Sequence, residues 1–87
     1  MHIILVYDID TKRVNDVNKF LKKYLYWRQN SVFEGDIMNS QLEEIKNGLK
    51  ELIDERIDSI VIYKLPNKKD LKTEIIGVDK SPVEKIF

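Results

Sequence analysis

Cysteine is absent from this chain, and histidine occurs once, at position 2. Disulfides, thiolate metal sites and a cysteine nucleophile are therefore excluded, and no Ser-His or Cys-His machinery is available. Three glycines are too few to build a glycine-rich phosphate loop. The formal net charge is zero, which argues against strongly electrostatic, salt-driven binding of nucleic acid. The apolar run in "HIILVYDID" is far too short for a membrane span, and no basic leader or cleavage site accompanies it. No membrane association is expected, and the default location is the cytoplasm. Any chemistry must come from carboxylates, hydroxyls or metal-bound water.

What is present is enough for one small domain, residues 1–87, burying about 60–65% of its unfolded surface. Apolar residues make up 43% and charged residues 34%, a balance typical of a soluble globular chain rather than a disordered one. The neutral total conceals a gradient. Residues 1–30 hold six Lys/Arg against three acids, 31–58 three against eight, and 59–87 six against four. Such a distribution permits a basic face without requiring one.

Periodicity divides the chain. Ile3 to Tyr7 form a continuous β-branched and aromatic run, the pattern of a buried strand. From Lys12 the spacing becomes helical, with Val14, Val17, Leu21 and Tyr24 on one face, Phe20 and Leu25 beside them, and Lys19, Lys22 and Lys23 outside. Strand character returns from about Tyr26 to Ile37, as one strand or as a short hairpin; alternation there would bury Trp27 and Gln29 together. Ser40 and Glu43 have capping-box spacing, opening a second helix that runs to about Arg56. "DSIVIYKL" reads as another buried strand ended by Pro66-Asn67, "LKTEIIGV" as a last strand, and "DKSPVEKIF" as a tail with apolar anchors. The order is that of an α+β, ferredoxin-like β-α-β-β-α-β sandwich with an extra C-terminal strand, both helices covering one face of the sheet.

That arrangement leaves a face uncovered. Ile4 and Val6, and Val61 and Tyr63, would stand exposed opposite the helices, which soluble monomers avoid. A homodimer packed sheet to sheet about a two-fold axis removes the patch.

Two carboxylates follow the first strand. Asp8 either merely ends it or offers a hard oxygen ligand; if the dimer axis passes nearby, a divalent cation would relieve the repulsion between it and the partner subunit's Asp8. Asp10 stands where a helix cap is needed. Arg13, in the first helical turn, gains nothing from the helix dipole, a placement that suits a residue reaching for phosphate. Tyr26, Trp27 and Arg28 could stack on bases, though such aromatics more often belong to a core or an interface.

"VYDID-TKRVNDVNKFLKKYL", "QNSVFEGDI" and "LIDERIDSIVIYKL" together resemble the small CRISPR-associated adaptation protein family, Cas-two, over residues 1–65 in order. The resemblance implies a ferredoxin-like homodimer in which residues 66–87 supply a strand and tail that pack on the partner. It implies a metal-dependent endonuclease of weak activity, hydrolysing RNA or double-stranded DNA with Mg2+, Mn2+ being the alternative ion. Asp8, the aspartate after Tyr7, is the implied metal-binding and catalytic residue, shared with Asp8 of the partner subunit; Lys12, Arg13 and Arg28 are the implied nucleic-acid contacts. It also implies a role in spacer acquisition beside the Cas-one integrase, where the alternative is a non-catalytic dimer that bridges the integrase and binds duplex DNA. Many members read Arg-x-Gln before the Ser-Val-Phe motif. Here Trp27-Arg28-Gln29 displaces the arginine by one position, which in a regular strand turns it to the opposite face.

Overall fold

Along β1 (His2–Asp8), Ile3, Leu5 and Tyr7 are buried while Ile4 and Val6 on the other side are half-buried. The computed structural model, which describes residues 1–81, continues with α1 (Thr11–Leu21), β2 (Tyr26–Gln29), β3 (Val32–Asp36), α2 (Asn39–Leu52) and β4 (Ser59–Leu65). The sheet has the order β2-β3-β1-β4 and is antiparallel throughout, with β1 lying between β3 and β4. Ile3, Leu5, Tyr7 and Phe33 from the sheet join Val17 and Leu21 of α1 and Leu42, Ile45 and Leu49 of α2 in one buried cluster. Both helices therefore cover the same face, as in a ferredoxin-like α+β fold. Each of the larger apolar side chains contributes about 1.5–3 kcal/mol by leaving water. The Tyr7 hydroxyl reaches into this layer and donates to Asn18 Oδ1 at 2.8 Å, so its burial leaves no polar atom stranded.

The helices approach closely at Gly48, where any Cβ would overlap the Phe20 ring. Phe20 packs edge-on against Tyr24, with ring centroids 5.5 Å apart, and the Tyr24 hydroxyl donates to Glu44 across the helix pair. A glycine inside a helix costs about 1 kcal/mol relative to alanine; here its missing side chain is the space the aromatic ring occupies.

The sheet settles the layout of residues 26–37 as a hairpin. Asn30 takes φ 41° at its turn, a left-handed conformation that asparagine accepts better than most residues. Trp27 pairs with Phe33 and Gln29 with Val32, so Arg28 is the extra residue of a β-bulge. The bulge breaks the expected alternation: Trp27 packs against the core, whereas Gln29 is exposed.

Both ends of α2 differ from expectation. The helix begins at Asn39, and Gln41 Oε1 accepts from the Met38 amide at 2.9 Å, so Ser40 and Glu43 do not form the capping box. It stops at Leu52 rather than near Arg56 because Asp54 builds its own turn. The Asp54 carboxylate accepts from the Arg56 amide and guanidinium, while its carbonyl accepts from Ile57 and Asp58. Such local bonds compete directly with helix continuation.

The uncovered face runs from His2 through Ile4 and Val6 to Asp8, flanked on β4 by Leu65, Tyr63, Val61 and Ser59. Val61 is 44% and Tyr63 58% exposed. After β4 comes a short 3-10 turn at Lys68–Asp70, and residues 71–81 form no strand within the single chain. That segment nevertheless reaches the opposite edge of the sheet. Arg28 Nη1 donates to Asp79 Oδ1 at 2.6 Å, and Ser81 Oγ donates to the Trp27 carbonyl at 3.4 Å. The apolar anchors expected at Val83, Ile86 and Phe87 lie outside the described residues.

Candidate functional site

Asp8 is the last residue of β1, paired in register with Ser59, and its side chain is exposed. Among the described residues its carboxylate has no hydrogen-bond or ion-pair partner. Asp10 is different in kind. Its Oδ1 accepts from the Lys12 amide at 2.9 Å, and its carbonyl accepts from Arg13 and Val14, so it caps α1 as the sequence suggests. One carboxylate is committed to the backbone and the other is available.

Beneath the turn between them lies Asp58, a residue the sequence reading passed over. Its side chain is 1% exposed. Oδ1 accepts from the Asp10 amide at 3.0 Å and from Arg13 Nη2 at 3.0 Å. Oδ2 accepts from Arg13 Nε at 2.6 Å and from the Asp54 amide at 2.9 Å. The Arg13 guanidinium, aided by the two amides and opposed by burial, holds the Asp58 carboxyl well below the usual carboxylate range. Asp54 nearby is lowered to about 2, chiefly by its bonds from Arg56. The available signal for Asp58 was an acid standing just before the β4 run; the antiparallel register with β1 then places it beside the Asp8 end.

The basic candidates are distributed unevenly. Lys12 is exposed on the first turn of α1. Arg13 is bound in the fork just described. Arg28, whose side chain is 12% exposed, bonds Asp79 and lies 3.4 Å from Glu34 on the uncovered face. There it joins a hydrogen-bonded cluster: His2, 1% exposed, places Nε2 2.9 Å from Glu34 Oε2 and Nδ1 2.9 Å from Oδ1 of the exposed Asp36. The chain's only histidine is thus engaged at the far end of β1 from Asp8. An open groove of about 320 Å³ between α2 and β4, lined by Lys46, Lys50, Ile53 and Ile60, touches Asp58 but not Asp8.

The family described as "CRISPR associated protein Cas2" matches residues 1–73. This chain belongs to the Cas2 family. It is 52% identical, over the full length of both chains, to a protein of Thermococcus kodakarensis named "CRISPR-associated endoribonuclease Cas2". A similarly named protein of Methanocaldococcus jannaschii is 45% identical over all of this chain and 76% of its own. Among solved structures, one titled "Crystal structure of cas2" superposes with a TM-score of 0.86 at 49% identity, covering 100% of this chain and 98% of that one. Streptococcus pyogenes Cas2 at pH 6.5 superposes with a TM-score of 0.78 at 34% identity, covering 88% and 100%. The Cas2 fold thus extends over the sheet, both helices and the Asp8 end. No helix among the described residues is long and apolar enough to cross a membrane.

Proposed function

We propose that this Cas2 chain is a divalent-metal-dependent endonuclease whose cation is held by Asp8 and the partner subunit's Asp8. The observation that carries the reading is the exposed, unpartnered Asp8 carboxylate beside a cap and an ion-paired frame that are already satisfied. The donor chemistry suits Mg2+: a hard oxygen ligand in a surface position leaves room for the several waters that this ion retains, and Mn2+ fits the same donors. No group of three or more His, Cys, Asp or Glu side chains gathers into a metal cage among the described residues; in this reading the partner subunit's Asp8 is the second protein ligand and water supplies the rest. When bound, the cation supplies an acidified water and neutralises phosphoryl charge. The protein's own part is to hold Asp8 at the strand end and to present Lys12 to the phosphodiester backbone of RNA or double-stranded DNA. With His2 engaged at the opposite end of β1, no imidazole base assists, and cleavage is weak.

The uncovered apolar face favours the homodimer, and the outer edge of β4, unpaired in the single chain, is a place for residues 71–78 of a second copy to add as a strand. Light scattering is expected to give about twice the 10.3 kDa chain mass, and truncation after Leu65 to weaken association. A clean, folded monomer overturns the dimer, and unchanged association of the truncated chain overturns the strand exchange.

A second reading rests on the same engaged histidine: a dimer without useful chemistry that bridges the Cas-one integrase and binds duplex DNA during spacer integration. Metal-dependent cleavage by wild type and Asp8→Asn, measured beside DNA binding and integrase-supported insertion, separates the two. Cleavage lost with insertion intact assigns both activities to the protein; no cleavage by wild type leaves the bridge alone.

A further inference from the structure

We infer that Asp58 is the positioning residue of the Asp8 site, setting the Asp8 carboxylate through the Asp10 amide and Arg13; this rests on the reading of Asp8 as the cation ligand. Both Asp58 oxygens are already taken by protein donors. Asp58 acts on the segment that carries the ligand. One carboxylate, 1% exposed, receives four donors, two on each oxygen, from three separate pieces of chain. The Asp10 amide belongs to the β1–α1 turn, Arg13 to the first turn of α1, and Asp54 to the loop that follows α2. Ser59, the next residue, pairs with Asp8 in the sheet.

Asp8 is therefore held on two sides. The β4 ladder fixes its backbone, and the Asp58 carboxylate fixes the chain two residues on. Without that second hold, the exposed Asp8 end keeps the last rung of the β4 ladder, the Tyr7 amide bond to the Ser31 carbonyl at 3.0 Å and the packing of Ile9 on the core, none of which fixes the turn at Asp10. The Asp10 cap does not substitute for it, because Asp10 Oδ1 bonds Lys12 inside the same turn and so ties the turn only to its own helix. The Arg13 fork has the planar, two-point geometry that fixes orientation as well as distance. Arg13 thereby acts on the site through Asp58 rather than by direct contact with phosphate.

The test measures Mn2+ binding by the purified full-length protein, using electron paramagnetic resonance, for wild type, Asp8→Asn, Asp58→Asn and Arg13→Gln. Circular dichroism verifies folding, and the amide resonance of Asp10 is followed by NMR. Asp58→Asn keeps the shape and one acceptor oxygen while removing the charge that orients Arg13. Its Mn2+ affinity is expected to fall, by less than the ~10–100-fold that follows loss of a group bonded directly to a metal ligand, with the Asp10 amide resonance shifted. Arg13→Gln keeps both amide bonds to Asp58 and is expected to weaken Mn2+ binding less. If Asp58→Asn does not fold, Arg13→Gln decides: weakened Mn2+ binding supports the inference and wild-type binding overturns it. A folded Asp58→Asn that binds Mn2+ like wild type, while Asp8→Asn does not, overturns this inference alone. Wild type without Mn2+ binding, or Asp8→Asn binding as well as wild type, overturns the Asp8 reading and this inference with it.

Discussion

His2 and Asp8 stand at opposite ends of β1 on the same uncovered face, about 20 Å apart by strand geometry, yet their surroundings differ in every respect. His2 is 1% exposed and lies between Glu34 and Asp36, with Arg28 also on Glu34. Asp8 is exposed and unpartnered, while Asp58, which precedes its ladder partner Ser59, binds the guanidinium of Arg13. At the His2 end the polar side chains hydrogen-bond one another; at the Asp8 end the Asp10 and Asp58 carboxylates bond the backbone that carries Asp8, and the Asp8 carboxylate itself is left over. A buried polar group without a partner is costly, so closed clusters are what folding alone selects. An exposed carboxylate on a rigid support is what a ligand site requires.

The strongest way to break this contrast is to neutralise each end. Under the proposed function, Asp8→Asn is expected to reduce Mg2+-dependent cleavage to background while the fold persists, and, where the proposed dimer sets two Asp8 charges face to face, to raise the stability of the metal-free protein slightly. Cleavage assays with thermal melts check both halves. Retained cleavage at the wild-type rate removes Asp8 from the chemistry.

His2→Ala should show the reverse. It leaves Glu34, 6% exposed, with one hydrogen-bond partner fewer on the uncovered face, and a buried polar group that loses its partner costs about 1–3 kcal/mol. Urea unfolding is expected to show the loss, with the metal dependence of any cleavage unchanged. A stability equal to wild type means that the cluster is not what holds this end.

Asp10→Ala sharpens the contrast within the Asp8 end itself. Loss of the Lys12 amide bond costs about 0.5–2 kcal/mol, the usual range for a removed cap, and cleavage is retained because Asp10 is a cap and not a ligand. Abolished cleavage without a change in melting temperature reverses the assignment of the two carboxylates.

These contrasts were only partly legible in the residues. Strand and helix periods from Ile3 to Leu65 give the β-α-β(β)-α-β order, because buried faces dictate which positions are apolar, but whether residues 26–37 make one strand or a hairpin is decided only by the turn at Asn30. The Asp10 cap is legible for the same local reason. The boundaries of α2 are not: Gln41 and Asp54 form bonds a few residues long that compete with the Ser40–Glu43 pattern, and spacing alone does not rank them. Gln29 was misplaced because a single-residue bulge at Arg28 breaks alternation with no glycine or proline to mark it. Asp58 and the His2 cluster were missed because both depend on register between strands. His2 meets Glu34 and Asp36 only when β1 and β3 pair, and Asp58 reaches the Asp10 turn only when β4 lies beside β1. Residues 71–78, which form no strand within the single chain, have no local signal that separates a strand proposed for another chain from an extended tail.

The smallest expected effect is in pH, and it places the two ends at opposite limits. Asp54 and Asp58, at the Asp8 end, have lowered carboxyl pKa values, so each contributes stability that is present above the unfolded value near 4 and lost as pH falls through the folded one. For Asp54 the loss runs from about pH 4 down to about 2, while the Arg13–Asp58 fork persists to lower pH. At the His2 end the sign reverses. Burial, followed by the charge and hydrogen bond of Glu34, pushes the Tyr26 hydroxyl up to about 12, against a weaker lowering by Arg28. Its contribution is fully present below the unfolded value of about 10 and is lost as pH rises through about 12. Tyr26→Phe removes this titration, so the stability difference between variant and wild type is expected to be flat below about pH 10 and to shift in favour of the variant from there to about 12. Denaturant unfolding across that range, with tyrosinate absorbance recorded on the same samples, makes the measurement. A difference that stays flat to the alkaline limit means that Tyr26 titrates no differently in the folded chain, and that the His2 end is more open to water than its packing indicates.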